Sequence, residues 1–432
     1  MTKEIKVGII GFGTVGAGVA ENLINNGEVI EKRTGLKIIV SKIADLDITT
    51  DRGVTVAADV LTTDAYKAME EVDIVAELVG GTTIAKDFTL AALKLGKPVV
   101  TANKALLAEY GEELFSVAEE NGVNIYYEAS VAGGIPIIKG LREGLVSNRI
   151  ERVYGIMNGT CNYILTRMEN EGLDFEPILK DAQELGYAEA EPSLDVDGFD
   201  TAHKTAILAS LAYGEWFGMD PIYVEGIRDV SVMDIEFAKE LGYKIKLLAI
   251  IKEANGEVEV RVHPTLIPSN TMLGNISDVF NGVMVTGDTV DDTLFYGRGA
   301  GREATASAVV ADIVDVALNL QYGSHRRVPA FKLNPQYNKL KNIDDIETRY
   351  YLRLQVADKV GVVAQLSKAL GENNISISSI VQKETKDEES GNVSLKIITH
   401  KAIEKELKAA VSKIESLADV CDKVKIFRIE DI

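Results

Sequence analysis

A chain of 432 residues is longer than one ordinary hydrophobic core supports, so two or three domains are expected. A hydrophobic content of 46% with 26% charged residues is an ordinary globular balance, and a net charge of −20 argues against nucleic-acid or membrane partners, which need clustered lysine and arginine. Cys161 and Cys421 have neither disulfide-framework nor metal-ligand spacing, no apolar run reaches bilayer length, and MTKEIKVGII lacks a signal-peptide layout, so a reduced, soluble, cytoplasmic protein is expected.

Over residues 1–130, strand-like runs at 5–10, 36–44, 72–80, 98–102 and 123–129 alternate with helical stretches near 14–26, 84–95 and 104–121. Near-continuous apolar strands between helices indicate a parallel sheet covered on both faces. VGIIGFGTVG places Gly11, Gly13 and Gly16 directly after the first strand, with Phe12, Thr14 and Val15 between them. The first glycine makes a tight turn, the second lets backbone approach a pyrophosphate, and the third lets helix and strand pack closely. This spacing predicts dinucleotide binding; a glycine-rich turn without a ligand is the bland alternative. Asp45 and Asp47, past the second strand, are candidates for reading the ribose hydroxyls of NAD, while nearby Lys42 and Arg52 keep NADP open. Lys104 follows the strand PVVTA, and ligands in open α/β sheets bind outside the carboxyl ends of strands.

After Glu128 the pattern becomes α+β. IERVYGIMNGTCNYIL reads as a strand and a helix capped by Asn158 or Thr160. Helices are expected near 176–186 and 200–217, then strands at 244–253, at 257–263 and ending in TLFYGRGAG. Glu189, Glu191, Asp195, Asp197 and Asp200 crowd the loop before DGFDTAHKTAILASLA; a hard-cation site, an amine-binding pocket and a solvated loop all fit that density. In the helix that follows, Asp200 and Lys204 share a stripe with Leu208 and Leu211 while the other faces are equally apolar, which points to burial. A surface ion pair is the alternative for these two residues. The four histidines, His203, His263, His325 and His400, are scattered and without a carboxylate partner, so a lysine is the expected proton carrier if an alcohol is oxidised. Such a lysine needs burial or a neighbouring lysine, and Lys204 near Lys104 fits. GRGAGREATASAVVAD opens a long helix at 302–323 with a second glycine-rich entry, suited to a phosphate or to packing. A proline-containing basic stretch at 324–347 reads as a linker. From about Tyr350 the order is β-α-β-β-α-β, with an acidic turn at 383–391.

GIIGFGTVG, TANKALLA, EASVAGGIPII, MNGTCNYIL, LGYAEAEPSLDVDGFDTAHK and GRGAG, in this order, resemble homoserine dehydrogenase, and VADKVGVVAQLSKALGENNISI resembles an ACT domain. The arrangement is similar to the monofunctional, ACT-bearing type. The fold implied is α/β: a Rossmann-type doubly wound sheet (1–130 plus helix 302–323), an α+β catalytic and dimerisation domain (131–301), a linker (324–347) and a ferredoxin-like ACT domain (348–432). The resemblance implies reversible, NAD(P)-dependent interconversion of L-homoserine and L-aspartate 4-semialdehyde, on the route to threonine, methionine and isoleucine.

By the same resemblance Lys204 is the proton-transferring residue and Lys104 the second active-site lysine, near nicotinamide and substrate. Asp200 and Glu189 hold the substrate's amino end, and the expectation is that Asp200 anchors substrate rather than pairing with Lys204. Asp195 is another pocket acid, and Gly186 and Gly301 are cofactor contacts. Glu128, Val131, Gly133 and Ile135 match a monovalent-cation site, usually sodium, built largely from carbonyls. Where the family often reads Val-Arg-Asp, this chain reads Asp45-Leu46-Asp47, which favours NAD. A homodimer or homotetramer is expected, with threonine as the ACT ligand at Asp358, Lys359, Gly361, Val362, Val363 and Asn374. The alternatives are a phosphoglycerate-dehydrogenase-like enzyme and a non-catalytic dinucleotide and amino-acid sensor.

Overall fold

A computed structural model describes residues 4–254, 256–324, 327–335, 337, 339–382 and 392–432. The acidic turn at 383–391 and His325 therefore lie outside the described residues. Six parallel strands, β1 (Glu4–Ile10), β2 (Lys37–Ala44), β3 (Leu61–Thr62), β4 (Ile74–Glu77), β5 (Val99–Thr101) and β6 (Ile125–Tyr126), form a sheet in the order β3-β2-β1-β4-β5-β6. This is the Rossmann order, in which the reversal at β1 and β4 opens a crevice at the carboxyl ends of the strands. Helix Arg302–Tyr322 returns to this sheet and packs on helix Thr14–Asn25. The approach is close because Gly18 has no side chain: a Cβ there would lie 2.8 Å from Arg302 Cγ. Ala306, Val309, Ile313 and Ala317 thereby join the core formed by Ile5, Val7, Ile9 and Val19.

The second sheet combines two regions of the chain. β7 (Ile150–Ile156), β8 (Tyr223–Val224), β9 (Tyr243–Ala254), β10 (Glu257–Pro268), β11 (Phe280–Gly287) and β12 (Asp291–Arg298) come first. β13 (Glu347–Ala357), β14 (Ile377–Gln382), β15 (Asn392–Thr399), β16 (Ala402–Ile403) and β17 (Lys425–Ile429) follow. The strand order is β12-β11-β7-β9-β10-β17-β13-β15-β14, and its last four strands with helices Val362–Gly371 and Glu404–Glu415 form the ferredoxin-like unit. This unit is continuous with the sheet before it: β17 pairs in parallel with β10, Thr265 opposite Arg428 and Leu266 opposite Ile429.

Buried charges reinforce that seam. Arg261 on β10 is 1% exposed and ion-pairs with both Glu259 and Glu430, and Lys252 on β9 reaches Glu430 at 3.2 Å. Tyr154 on β7 donates to the same carboxylate at 3.0 Å. Burial pushes the Glu430 carboxyl up, but Arg261 and Lys252 outweigh it and hold it at about 2. On the neighbouring strand Arg428 pairs with buried Glu404, which also accepts from Tyr350.

Several details differ from expectation for local reasons. Helix Phe199–Tyr213 stops earlier than residue 217 because Gly214 turns left-handed (φ +71°), where a Cβ would meet the Asn334 carbonyl at 2.4 Å. Helix Gly27–Thr34 buries no residue and so carries no apolar periodicity to read. Strand β11 and helix Val232–Glu240 are further elements not anticipated. The stretch around 327–341 is pinned down: Asn334 N–H donates to Gly214 and Lys341 N–H to Val258. Among the described residues no helix is long and apolar enough to cross a membrane.

Removing one partner of a buried ion pair leaves its mate uncompensated. Glu430→Ala is expected to cost about 3–5 kcal/mol in denaturant unfolding, and Glu430→Gln less. Because the folded carboxyl titrates below its usual value, this contribution is present above the ordinary carboxylate range and lost as pH falls toward about 2. The variants should accordingly converge with the parent in acid.

Candidate active site

Gly11 has φ +99°, and a Cβ there would sit 2.7 Å from the Leu78 carbonyl of the loop after β4. At Gly16 a Cβ would lie 2.0 Å from the Gly11 carbonyl, so helix and turn touch directly. At Gly13 a Cβ would meet nothing within 4 Å, which leaves backbone facing open space at the N-terminus of helix Thr14–Asn25. One conformational need, one close contact and one open approach fit a dinucleotide pyrophosphate.

Asp45, just past β2, accepts from the Phe12 N–H at 2.6 Å and so braces this turn. Asp47 folds into its own loop, accepting from Thr49 and Thr50 and from Arg52 at 3.2 Å. Hydrogen bonds from these threonines hold the Asp47 carboxyl well below the usual range. Arg52 is thus already engaged by a carboxylate.

At the other side of the crevice, Asn103 starts helix Lys104–Glu120 by accepting from Leu106 N–H at 3.0 Å. The same amide donates to the Val79 and Gly81 carbonyls, tying the loops after β4 and β5 together. Below them Glu77 is fully buried, accepting from Val79 N–H and Thr101 Oγ1, and burial raises its carboxyl to about 7. This bracing places Lys104, whose side chain is 32% exposed, at the mouth of the site.

Facing it, helix Phe199–Tyr213 is buried on nearly every side, and Lys204 and Asp200 are 8% and 5% exposed. Asp200 Oδ2 lies 2.6 Å from Lys204 Nζ, and Asp200 Oδ1 lies 3.2 Å from Lys104 Nζ. Contrary to expectation, Asp200 therefore does pair with Lys204, and one carboxylate joins both lysines. In a site nearly closed to water, a carboxylate between two ammoniums is more favourable than three unpaired charges. Burial would raise the Asp200 carboxyl, but the charges of Lys204 and Lys104 outweigh it and hold it well below the usual range. Lys204 Nζ also donates to the Met157 carbonyl at 2.7 Å.

Asp195, on the short helix Ser193–Val196, joins this cluster through Asn158, whose amide lies 2.7 Å from Asp195 Oδ1. Burial and then the Asp200 charge raise the Asp195 carboxyl. The rest of the acidic loop disperses: Asp197 pairs with Arg228, Glu191 with Ser193, and the Glu189 side chain is exposed. Gly186 and Gly301 both adopt positive φ, +76° beyond one helix end and +109° before another. His203, beside Lys204 in sequence, has a buried Nδ1 without a hydrogen-bond partner, and burial followed by the Lys104 charge lowers its pKa.

Glu128 accepts from the N–H groups of Ile138 and Lys139, both at 2.8 Å, and fixes the turn carrying Val131, Gly133 and Ile135. Ala132 (φ +55°) and Gly133 (φ +51°) reverse the backbone there. In the C-terminal unit Gly361 (φ +91°) precedes helix Val362–Gly371, Val363 is exposed, and Lys359 pairs with Asp419. Asp358 lies on the same turn, and Asn374 (φ +59°) follows that helix. Sequence reasoning missed the roles of Met157, Glu77 and Asn158; a helix-cap pattern was the only signal for the last.

Residues 136–314 match the family described as Homoserine dehydrogenase, residues 11–128 its NAD binding domain, and residues 350–419 the ACT domain. The chain is 45% identical to a homoserine dehydrogenase of Pseudomonas aeruginosa, with 100% of both chains covered. It is 43% identical to one from Neisseria gonorrhoeae, over 100% of this chain and 99% of that one. Among solved structures, a homoserine dehydrogenase from Thiobacillus denitrificans superposes with TM-score 0.94 at 44% identity, covering 99% of this chain and 98% of that one. A hyperthermophilic archaeal homoserine dehydrogenase in complex with NADPH superposes with TM-score 0.63 at 28% identity, over 73% of this chain and 98% of that one.

The glycine contacts separate binding from folding. Gly13→Ala should keep its thermal midpoint yet lose dinucleotide affinity by about tenfold or more in a fluorescence titration, because the added methyl meets no protein atom but would stand in the way of a bound pyrophosphate. Gly16→Ala should lose about 1–3 kcal/mol of stability through overpacking, measured by denaturant unfolding.

Proposed function

The chain belongs to the homoserine dehydrogenase family, in the form that carries a C-terminal ACT domain, and from that premise we propose how its own residues carry the reaction. As an oxidoreductase of this family it interconverts L-homoserine and L-aspartate 4-semialdehyde with a nicotinamide dinucleotide. Relatives matched over their full lengths favour this reading over a phosphoglycerate-dehydrogenase-like enzyme or a non-catalytic sensor.

One observation carries the assignment of roles: the Asp200 carboxylate bridges Lys204 and Lys104 at the carboxyl ends of the parallel strands. An ammonium has three donors. Those of Lys204 reach Asp200 and the Met157 carbonyl, which leaves the third for a substrate oxygen. In reduction Lys204 gives a proton to the aldehyde oxygen, and in oxidation it takes the hydroxyl proton back. The dinucleotide, when bound, supplies hydride exchange at the substrate carbon. Asp200 holds Lys204 in place and Lys104 stands across the same carboxylate, nearer the entrance. Asp195 and Glu189 are the acids for the substrate ammonium, Asp195 from within the cluster and Glu189 from the exposed loop.

Gly11 to Gly16, with Asp45, Asp47, Lys104, Gly186 and Gly301, are the proposed dinucleotide contacts. NAD is the proposed preference, because Arg52 is held by Asp47 and the segment after β2 reads Asp45-Leu46-Asp47 without a basic residue for a ribose phosphate. A monovalent cation, sodium, is proposed at the Glu128, Val131, Gly133 and Ile135 turn, whose main-chain carbonyls suit a hard ion. Threonine is the proposed ACT ligand around Asp358–Val363 and Asn374, in a cytoplasmic homo-oligomer on the route to threonine and methionine. Among the described residues β14 is an edge strand, which supports pairing between copies.

Lys204→Ala should bind dinucleotide normally and lose turnover about a hundredfold or more, read from NAD(P)H absorbance with homoserine. Turnover near normal would sink the assignment. Asp47→Ser, which frees Arg52, should shift the ratio of kcat/KM values about tenfold toward NADP; an unchanged ratio would remove the basis for the NAD preference.

A further inference from the structure

Two carboxylates, half-buried Asp195 and buried Asp200, are linked by a single amide. Asn158 sits at the junction of β7 and helix Gly159–Glu171 and is 5% exposed. Its Nδ2 donates one hydrogen to Asp195 Oδ1 at 2.7 Å and the other to Asp200 Oδ2 at 2.8 Å. Its Oδ1 accepts from Cys161 N–H at 2.8 Å, capping the helix. Both amide hydrogens and the carbonyl are thereby engaged, so the side chain has one orientation.

We infer that Asn158 is a positioning residue for the Lys104–Asp200–Lys204 centre, and that its helix cap is the anchor from which it works. The consequence is geometric. Asp200 Oδ2 takes hydrogens from both Asn158 and Lys204, which leaves Oδ1 turned toward Lys104. The adjacent residue, Met157, supplies the carbonyl on Lys204, so one dipeptide fixes both members of the buried pair. The same amide ties Asp195, and with it the acidic loop, to the centre. Without it two neighbouring carboxylates would repel with no hydrogen between them. The inference rests on the proposed roles of Lys204 and Asp200.

Two substitutions keep the helix cap and change only the donor end. Serine caps as well as asparagine but cannot span two carboxylates, and aspartate keeps the shape while presenting oxygen where Nδ2 was. Asn158→Ser should lower kcat for homoserine by about ten- to a hundredfold with dinucleotide affinity unchanged, in a folded protein of somewhat lower thermal midpoint because two carboxylates lose their amide donor. Asn158→Asp should lose more near neutrality and recover part of its deficit relative to the parent as pH falls from about 9 to about 6. A proton on the new carboxyl replaces one missing amide hydrogen. Variants with parental kcat and parental pH profiles would overturn the inference, as would loss of stability with kcat retained, since either leaves Asn158 only a helix cap. If Asn158→Asp does not fold, the kcat of Asn158→Ser decides. A parent chain that fails to oxidise homoserine would overturn the underlying roles and this inference together, whereas an active parent with unaffected variants overturns this one alone.

Discussion

A carboxylate closed off from water is costly unless its charge is met, and in this chain one such group, Asp200, is met twice. Lys204 arrives from the next turn of the same helix, while Lys104 arrives from the first residue of a helix that the parallel sheet holds in place. The centre therefore exists only where the parallel-sheet layer and the helix of Lys204 are docked. The devices around it serve that docking: Asn103 fixes the loop that presents Lys104, and Met157 with Asn158 fixes the far side of Lys204. The open space beside Gly13 and the lysines both lie at the carboxyl ends of the strands, where a dinucleotide and a small substrate meet in folds of this order.

The C-terminal unit is held by a related constraint. A module attached through a tether would move freely, but here strand pairing between β10 and β17 continues one sheet into the next. The charges of Arg261, Lys252 and Glu430 are buried across that seam, where an unpaired member would be expensive. Strand β10 also lies against the helix of Lys204. The strand to which the ACT unit is joined is thus the strand against which the helix carrying Lys204 packs.

Most of the fold was legible because the sequence signals are local. Apolar strands alternating with helices, the glycine spacing after β1 and the β-α-β-β-α-β order each follow from short stretches read alone. What escaped was either without local signature or made by distant partners. Helix Gly27–Thr34 buries nothing, so its polar sequence reads as a loop. The end of the Lys204 helix depends on Asn334 meeting Gly214, far apart in the chain. In the site, the burial of Asp200 and Lys204 was readable from a helix apolar on all faces. Their i,i+4 spacing made the pairing available as the alternative reading, while the contributions of Met157 and Asn158 were hidden because no periodicity connects them to residue 200. The density of the acidic loop also overstated its unity, since Asp197 and Glu191 turn to Arg228 and Ser193 while only Asp195 reaches the centre.

One charge holds two lysines, so the direct measurement is steady-state oxidation of homoserine by Asp200→Asn, with dinucleotide affinity determined on the same protein. Asparagine keeps the shape and removes the charge. The account predicts a fall in kcat of about a hundredfold or more with the dinucleotide Kd unchanged. A kcat within about twofold of the parent would contradict it.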